Sequence, residues 1–329
     1  MSKTHVAVVM GGYSSEFEIS LESGSVVCEL LDPNKYFIYP VHILKEGWNF
    51  IDYLGEKYPI NKADFSFFNG INTIIPDVVF NTIHGTPGED GYLQAYLSLI
   101  GIPQTSSESY QSALSFNKRD CLSVLSKFNV LCATSFYINK GENYSRTEIL
   151  KKVGLPCFVK PNRAGSSFGI SKVFEKEKLD SAIEKAFEED SEIIIEKAIE
   201  GVEVSVGVYN NQEKIIVLPI TEIVSETGLL IGYFDYEAKY LGKSNEITPA
   251  RISVSESEKI RSEAVRIYKL LNMTGVTRSD FIIQDGIVYF LEINTNPGMS
   301  KESIIPKQVK EFGSTLTSFF DILIQNVLK

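Results

Sequence analysis

A chain of 329 residues, 43% hydrophobic and 22% charged, is long enough for two or three ordinary domains, each with its own core. A formal net charge of −10 and the lack of any basic block exclude a general nucleic-acid partner, because neutralising phosphates takes a surplus of Lys and Arg on at least one face. No apolar run approaches the roughly 18 residues of a membrane span, and the start MSKTHVAVVMGGYSSE indicates neither export nor insertion, so a cytoplasmic protein with no membrane partner is expected.

In chain order, the run VAVVM (6–10) predicts a strand, and EISLESGSVVCELL predicts a helix with Ile19, Val26, Val27 and Leu30 on its stripe. YFIYPVHIL and VVFNTI (78–83) predict further strands, and Leu93, Leu97 and Ile100 mark the next helix. This alternation predicts an α/β unit with a parallel sheet and crossover helices. The turns GGYSSE and HGTPGEDG then lie at carboxyl ends of strands, where such sheets bind ligands.

Near residue 116 the pattern changes. NKRDCLSVLSKF reads as a helix with Leu122, Leu125 and Phe128 on one stripe, and ATSFYI and LPCFVK read as strands separated by the helical RTEILKKV. A helix over EKLDSAIEKAFEE, the strand EIIIEKAI and the alternating VEVSVGVY follow, and the chain closes on a helix carrying Leu316, Phe319, Phe320, Leu323 and Val327. The expected divisions are 1–116, 117–206 and 207–329. Cys28, Cys121, Cys132 and Cys157 are widely spaced with no C-x-x-C pair, which suits reduced thiols in a cytosol.

The segment RSDFIIQDGIVYFLEINTNPG carries the strongest chemistry. FII and IVYFLEIN flank QDG as a hairpin, and Glu292 and Asn294, two apart on one strand, share a face. A two-residue loop Asp285-Gly286 would pair Asp280 with Leu291 and turn it away from Glu292. A three-residue loop Gln284-Asp285-Gly286 would pair Ile283 with Ile287 and bring Asp280 onto Glu292's face. The second register is expected, because it gathers an all-oxygen site suited to Mg²⁺. The competing reading is a turn-capping Asp280 and a solvent-facing Glu292. Zinc is disfavoured, since none of the three histidines, His5, His42 and His84, forms a ligand pair by spacing.

KPNRAGSSFGIS (160–171) follows a strand and offers Lys160, two glycines and the hydroxyls of Ser166 and Ser167. Beside an Mg²⁺-type cluster this is a candidate cover for a nucleotide's phosphates, although it is not the G-x-x-x-x-G-K-[ST] loop.

GGYSSEFEISLESG, HGTPGEDGYLQAYLSLIGIP, VKPNRAGSSFGISKV, EKAIEGVEVSVGV, YFDYEAKYLGKS, GVTRSDF and LEINTNPGMSKESIIP resemble, in order and spacing, the D-alanine-D-alanine ligases of the ATP-grasp superfamily, from near residue 6 to near 310. The resemblance implies an N-terminal α/β domain followed by two lobes that grip ATP. It implies phosphate contacts from Lys118, Lys160 and Lys239, an adenine pocket of Glu196, Lys197 and Ile199, and a ribose ligand in Glu203. It implies Mg²⁺, with Mn²⁺ as an expected substitute, on Asp280, Glu292 and Asn294. Glu16 with His84 would hold the first D-alanine, Arg278 and the Gly298 N–H the oxyanion, and Ser303 and Ile304 the second carboxylate. Tyr240, in DYEAKY, would bridge to Ser166 and through it to Glu16, and a homodimer is implied. Ala164, Asn117 and Phe234 depart from the family's common residues, which puts the tuning of loop closure and affinity in doubt. The rivals are another ATP-grasp carboxylate-amine ligase, D-alanine-D-serine included, and a non-catalytic ATP-binding regulator.

Overall fold

A computed structural model describes residues 3–165, 169–225 and 244–328. The buried strand β1 (Thr4–Gly11) lies between β2 (Tyr36–Leu44) and β7 (Val78–Asn81), parallel to both, with Val6 opposite Ile38 and Val78. An apolar run this continuous is what a strand covered on both faces requires. The sheet is mixed rather than wholly parallel. β3 (Gly47–Ile51) and β4 (Lys57–Pro59) extend it antiparallel in the order β4-β3-β2-β1-β7. Leu44 and Gly47 face each other across a tight turn, too short for the crossover that a parallel neighbour needs. A small ribbon, β5 (Phe67–Phe68) with β6 (Thr73–Ile74), sits beside it.

The helix Lys118–Ser126 leads into the middle of the molecule. It buries Leu122 and Leu125 but ends before Phe128, which is 45% exposed, so the predicted stripe is one turn too long. Four antiparallel strands follow: β8 (Ser135–Asn139), β9 (Cys157–Pro161), β10 (Ser171–Val173) and β11 (Glu192–Lys197), in the order β10-β9-β11-β8. Their alternation splits the faces. Val159, Ile193 and Ile195 pack against the helices Arg146–Val153 and Leu179–Glu189, whereas Phe158, Lys160 and Glu196 look into a cleft.

The cleft's opposite wall is a six-stranded sheet of β12 (Val202–Asn211), β13 (Lys214–Val217), β14 (Thr221–Ser225), β15 (Ser244–Ile247), β16 (Val276–Gln284) and β17 (Ile287–Asn294). β12 runs unbroken across 206/207. Ser253 and Glu256 form a reciprocal cap on the helix Val254–Leu270. Its Ile260, Ala264 and Ile267 cover Val204, Val206, Val208, Phe281 and Ile283 on the sheet's outer face. The helices Ile304–Glu311 and Leu316–Val327 return the chain to its start: Phe319, Phe320, Leu323 and Ile324 share one core with Val6, Val8 and Phe80. All four cysteines are free, two of them buried, and no helix among the described residues is long and apolar enough to cross a membrane.

Candidate active site

The two facing sheets enclose a first cavity lined by Lys118, Lys160, Glu196, Lys197, Ile199, Glu203, Asp280 and Glu292, with apolar walls from Phe158, Ile282 and Leu291. Lys160 Nζ lies 2.7 Å from Glu196 Oε2. Burial pulls Lys160 down, but Glu196 above all, and then Glu292 and Glu203, outweigh it and hold the ammonium above its ordinary value. Lys118 Nζ donates to Ala164 O at 2.8 Å and lies 3.5 Å from Glu292 Oε2. Both cations therefore rest on protein oxygens that a phosphate could replace.

The hairpin β16–β17 corrects the expected register. Gln284 pairs with Ile287, so the turn is the two residues Asp285 and Gly286, both at positive φ (51° and 73°). This is the two-residue turn whose twist matches that of its strands. The register then shifts between Phe281, opposite Phe290, and Asp280, opposite Glu292, leaving Leu291 as the extra residue of a β-bulge. Were the strand regular, Glu292 would continue the face of Val288 and Phe290 into the apolar core; with the bulge Ile293 enters the core and Glu292 turns to the cleft. The shared face of Asp280 and Glu292 thus comes from a bulge, not from a three-residue loop.

Asp280 accepts from Ser205 Oγ at 2.5 Å and from Arg278 Nε and Nη2 at 3.0 and 2.8 Å. Asn294 stands opposite Arg278, and its Oδ1 accepts from Asn296 N at 2.9 Å. Among the described residues no three His, Cys, Asp or Glu side chains gather as a metal cluster. Two carboxylates and an amide oxygen remain, a hard donor set that fits Mg²⁺ better than zinc.

A second cavity, of about 280 Å³, adjoins the first and is lined by Glu16, His84, Gly165, Arg278, Glu292, Asn294, Gly298, Ser303 and Ile304. Glu16 opens the helix Phe17–Leu30. A Cβ at Gly165 would meet the Glu16 carboxylate, so any other residue there would require that side chain to move. Buried His84 has Nε2 3.5 Å from Ser23 Oγ; burial first, and Arg278 after it, hold the ring below its ordinary value against the pull of Glu16. Ser303 begins the helix Ile304–Glu311, whose positive end faces the cavity, and its Oγ lies 2.9 Å from Ser300 Oγ.

Four carboxylates of this cavity, Glu22, Glu89, Glu246 and Glu302, have no role assigned to them from the sequence. Glu89 lies in the HGTPGEDG turn, which is the only signal for it. Its Oε2 accepts from Gly85 N at 2.6 Å, and burial, then the charge of Glu16, push it up to about 8. Glu22 and Glu302 likewise lie inside quoted motifs without a role of their own, and Glu246 lies outside all of them. Ser166, Lys239, Tyr240 and Phe234 lie outside the described residues.

Two facing sheets with paired lysines and carboxylates between them, and a mixed-sheet α/β domain closing one end, define the ATP-grasp class of fold. The D-Ala D-Ala ligase N-terminus profile matches residues 5–107 and the D-Ala D-Ala ligase C-terminus profile matches 124–325. A D-alanine–D-alanine ligase of Flavobacterium johnsoniae is 54% identical over 321 residues, covering 98% of each chain. Among solved structures, the VanG D-Ala:D-Ser ligase from Enterococcus faecalis superposes with a TM-score of 0.86 at 34% identity over 99% of both chains. The D-alanine–D-alanine ligase from Bacillus anthracis complexed with ATP gives 0.77 at 27% identity, over 98% of this chain and 96% of that one. The chain belongs to the D-Ala D-Ala ligase family.

Proposed function

We propose that the protein joins two D-alanines into D-alanyl-D-alanine with conversion of ATP to ADP, for peptidoglycan precursor synthesis in the cytoplasm, acting as a homodimer. One observation carries the reading: Arg278, Glu292 and Ile304 line both cavities. A nucleotide's terminal phosphate in the first cavity and a carboxylate in the second would meet at that shared wall. The carboxylate of one D-alanine attacks the γ-phosphate to give an acyl phosphate and ADP. The amine of the second then attacks the activated carbonyl, and phosphate leaves. Such chemistry rests on positioning and charge neutralisation and requires no protein nucleophile.

In this reading Lys118, Lys160 and Lys239 hold the phosphates, Glu196, Lys197 and Ile199 the adenine, and Glu203 the ribose. Asp280, Glu292 and Asn294 would hold Mg²⁺, or Mn²⁺ in its place; when bound, the ion neutralises charge on the transferred phosphoryl group. Asp280 already accepts three hydrogen bonds, about one fewer than a carboxylate can, so an ion would have to enter beside Arg278 or displace one of its bonds. Glu16 and His84 hold the first substrate. Arg278 and the Gly298 N–H stabilise the oxyanion, and Ser303 and the backbone of Ile304 clamp the second carboxylate at a helix's positive end.

The test is phosphate release and dipeptide formation with D-alanine, L-alanine, D-serine and D-lactate. Turnover is expected only with ATP, Mg²⁺ and D-alanine. A mixed dipeptide with D-serine would favour the activity named for the Enterococcus relative. ATP binding without ADP formation under any condition would make the protein a non-catalytic binder.

A further inference from the structure

The helix Lys118–Ser126 carries a proposed phosphate ligand on its first residue, and the first N–H groups of any helix lack partners within it. Here they are met from elsewhere. Lys118 N donates to Asn162 O at 3.2 Å, Arg119 N to Asn162 Oδ1 at 2.8 Å, and Asp120 N to Asn117 Oδ1 at 3.0 Å. Two of the three acceptors belong to one residue at the end of β9. The Asn162 amide group in turn donates to Asn117 Oδ1 at 2.8 Å and Glu192 Oε2 at 3.1 Å, and its backbone N–H donates to Glu192 O at 2.9 Å. These partners fix which way the amide points, and the residue is only 1% exposed.

Asn162 also stands two residues after Lys160 and two before Ala164, whose carbonyl receives Lys118 Nζ. One residue therefore ties the first turn of this helix, Lys118 N through its carbonyl and Arg119 N through its side chain, to the strand that carries the second phosphate lysine and to the segment whose carbonyl holds the Lys118 ammonium. The pair Asn117–Asn162 also accounts for an amide at 117 where the family commonly has an acid: Asn117 Oδ1 accepts from both Asp120 N and Asn162 Nδ2, which a neutral oxygen does without setting a further charge close to Glu192.

We infer that Asn162 is a positioning residue for nucleotide binding: it caps the helix of Lys118 from outside and so sets where that ammonium meets the phosphates. The inference rests on the reading of Lys118 as a phosphate ligand. The experiment measures the Kd for ATP by calorimetry, the KM for D-alanine and the melting temperature in the wild type, Lys118→Ala, Asn162→Ala, Asn162→Ser and the Lys118→Ala/Asn162→Ala double variant. Asn162→Ala strands Arg119 N and should weaken ATP binding roughly tenfold, with the KM for D-alanine within about twofold of wild type. Asn162→Ser restores an acceptor and should recover part of the loss. In the Lys118→Ala background the Asn162 substitution should add nothing, because its effect passes through that ammonium.

A wild-type Kd in Asn162→Ala, or a full extra loss in the double variant, overturns the inference and leaves the Lys118 reading standing. An unchanged Kd in Lys118→Ala overturns both. Should Asn162→Ala fail to fold, Asn162→Ser alone and in the Lys118→Ala background gives the same comparison.

Discussion

The two cavities share a wall and differ in charge. In the first, carboxylates stand against lysines at close range, Lys160 at 2.7 Å from Glu196 and Lys118 at 3.5 Å from Glu292. In the second, Glu16, Glu22, Glu246, Glu292 and Glu302, beside a Glu89 that keeps its proton up to about pH 8, face a lining whose only cation among the described residues is Arg278. A space of paired charges accepts an anion by exchanging partners, whereas a carboxylate-rich space attracts an ammonium group. The first therefore suits a triphosphate and the second an amino acid. Glu292 and Arg278 line both cavities, and on the proposed reading they stand where the two ligands would react.

Removing a shared residue should therefore cost the most. Glu292→Gln keeps the size of the side chain but removes charge from the proposed Mg²⁺ site, and kcat should fall roughly a thousandfold, the effect of losing several kcal/mol of charge stabilisation. Steady-state rates alongside an unchanged melting curve check this; near-normal turnover would take Glu292 out of the metal site. Arg278→Ala comes next, with an expected loss of about a hundredfold in kcat, as for one oxyanion donor. A change confined to the KM for D-alanine would instead reduce Arg278 to a binding group.

The contrast also has a pH signature. Glu89, ordinarily near 4.5, is raised to about 8 in the fold by burial and by Glu16, so between those values the folded chain holds a proton that the unfolded chain has lost. Stability is then fullest at low pH and falls as pH rises through this window, by at most about 1.4 kcal/mol for each pH unit crossed. Glu89→Gln keeps an acceptor for Gly85 N and cannot ionise. Its melting temperature should overtake that of the wild type by a few degrees between about pH 5 and about pH 8.5. Parallel pH curves for the two chains would show that the second cavity does not titrate through Glu89.

Apolar runs and helical stripes made most elements legible, because periodicity reports which face is covered. The strand at 4–11, the helices at 17–30 and 179–189 and the closing helix at 316–327 all lie where the pattern puts them. What failed depends on contacts remote in sequence. The bulge at Leu291 costs one residue of register, and nothing in IVYFLEIN marks it, so oxygens expected together through a longer turn come together by another route. Nor does any local signal bring Phe320 onto Phe80, 5.4 Å apart across 240 residues of chain. In the site, motif points to Lys160, Asp280 and Glu292, which line the first cavity, but Glu89 and Glu246 are glutamates whose meaning comes only from what surrounds them.

Glu246 sharpens the comparison through the smallest effect. It lines the second cavity beside Ser303, yet its Oε2 lies 3.1 Å from Lys307 Nζ, which also reaches Glu302 Oε2 at 3.4 Å. Lys307 is itself partly exposed and outside the cavity's lining, so the negative charge of Glu246 is offset from behind. Pairs of this kind are worth about 0–1 kcal/mol, and Glu246→Gln should shift the KM for D-alanine by less than about threefold. Glu16→Gln, at the proposed ammonium contact, should raise it more than roughly tenfold, the loss of one charged hydrogen bond. Equal effects from the two variants would mean that the cavity attracts its ligand through the sum of its carboxylates rather than through a single contact. The Lys307 pair would then be a neighbour to that field and not a brake on it.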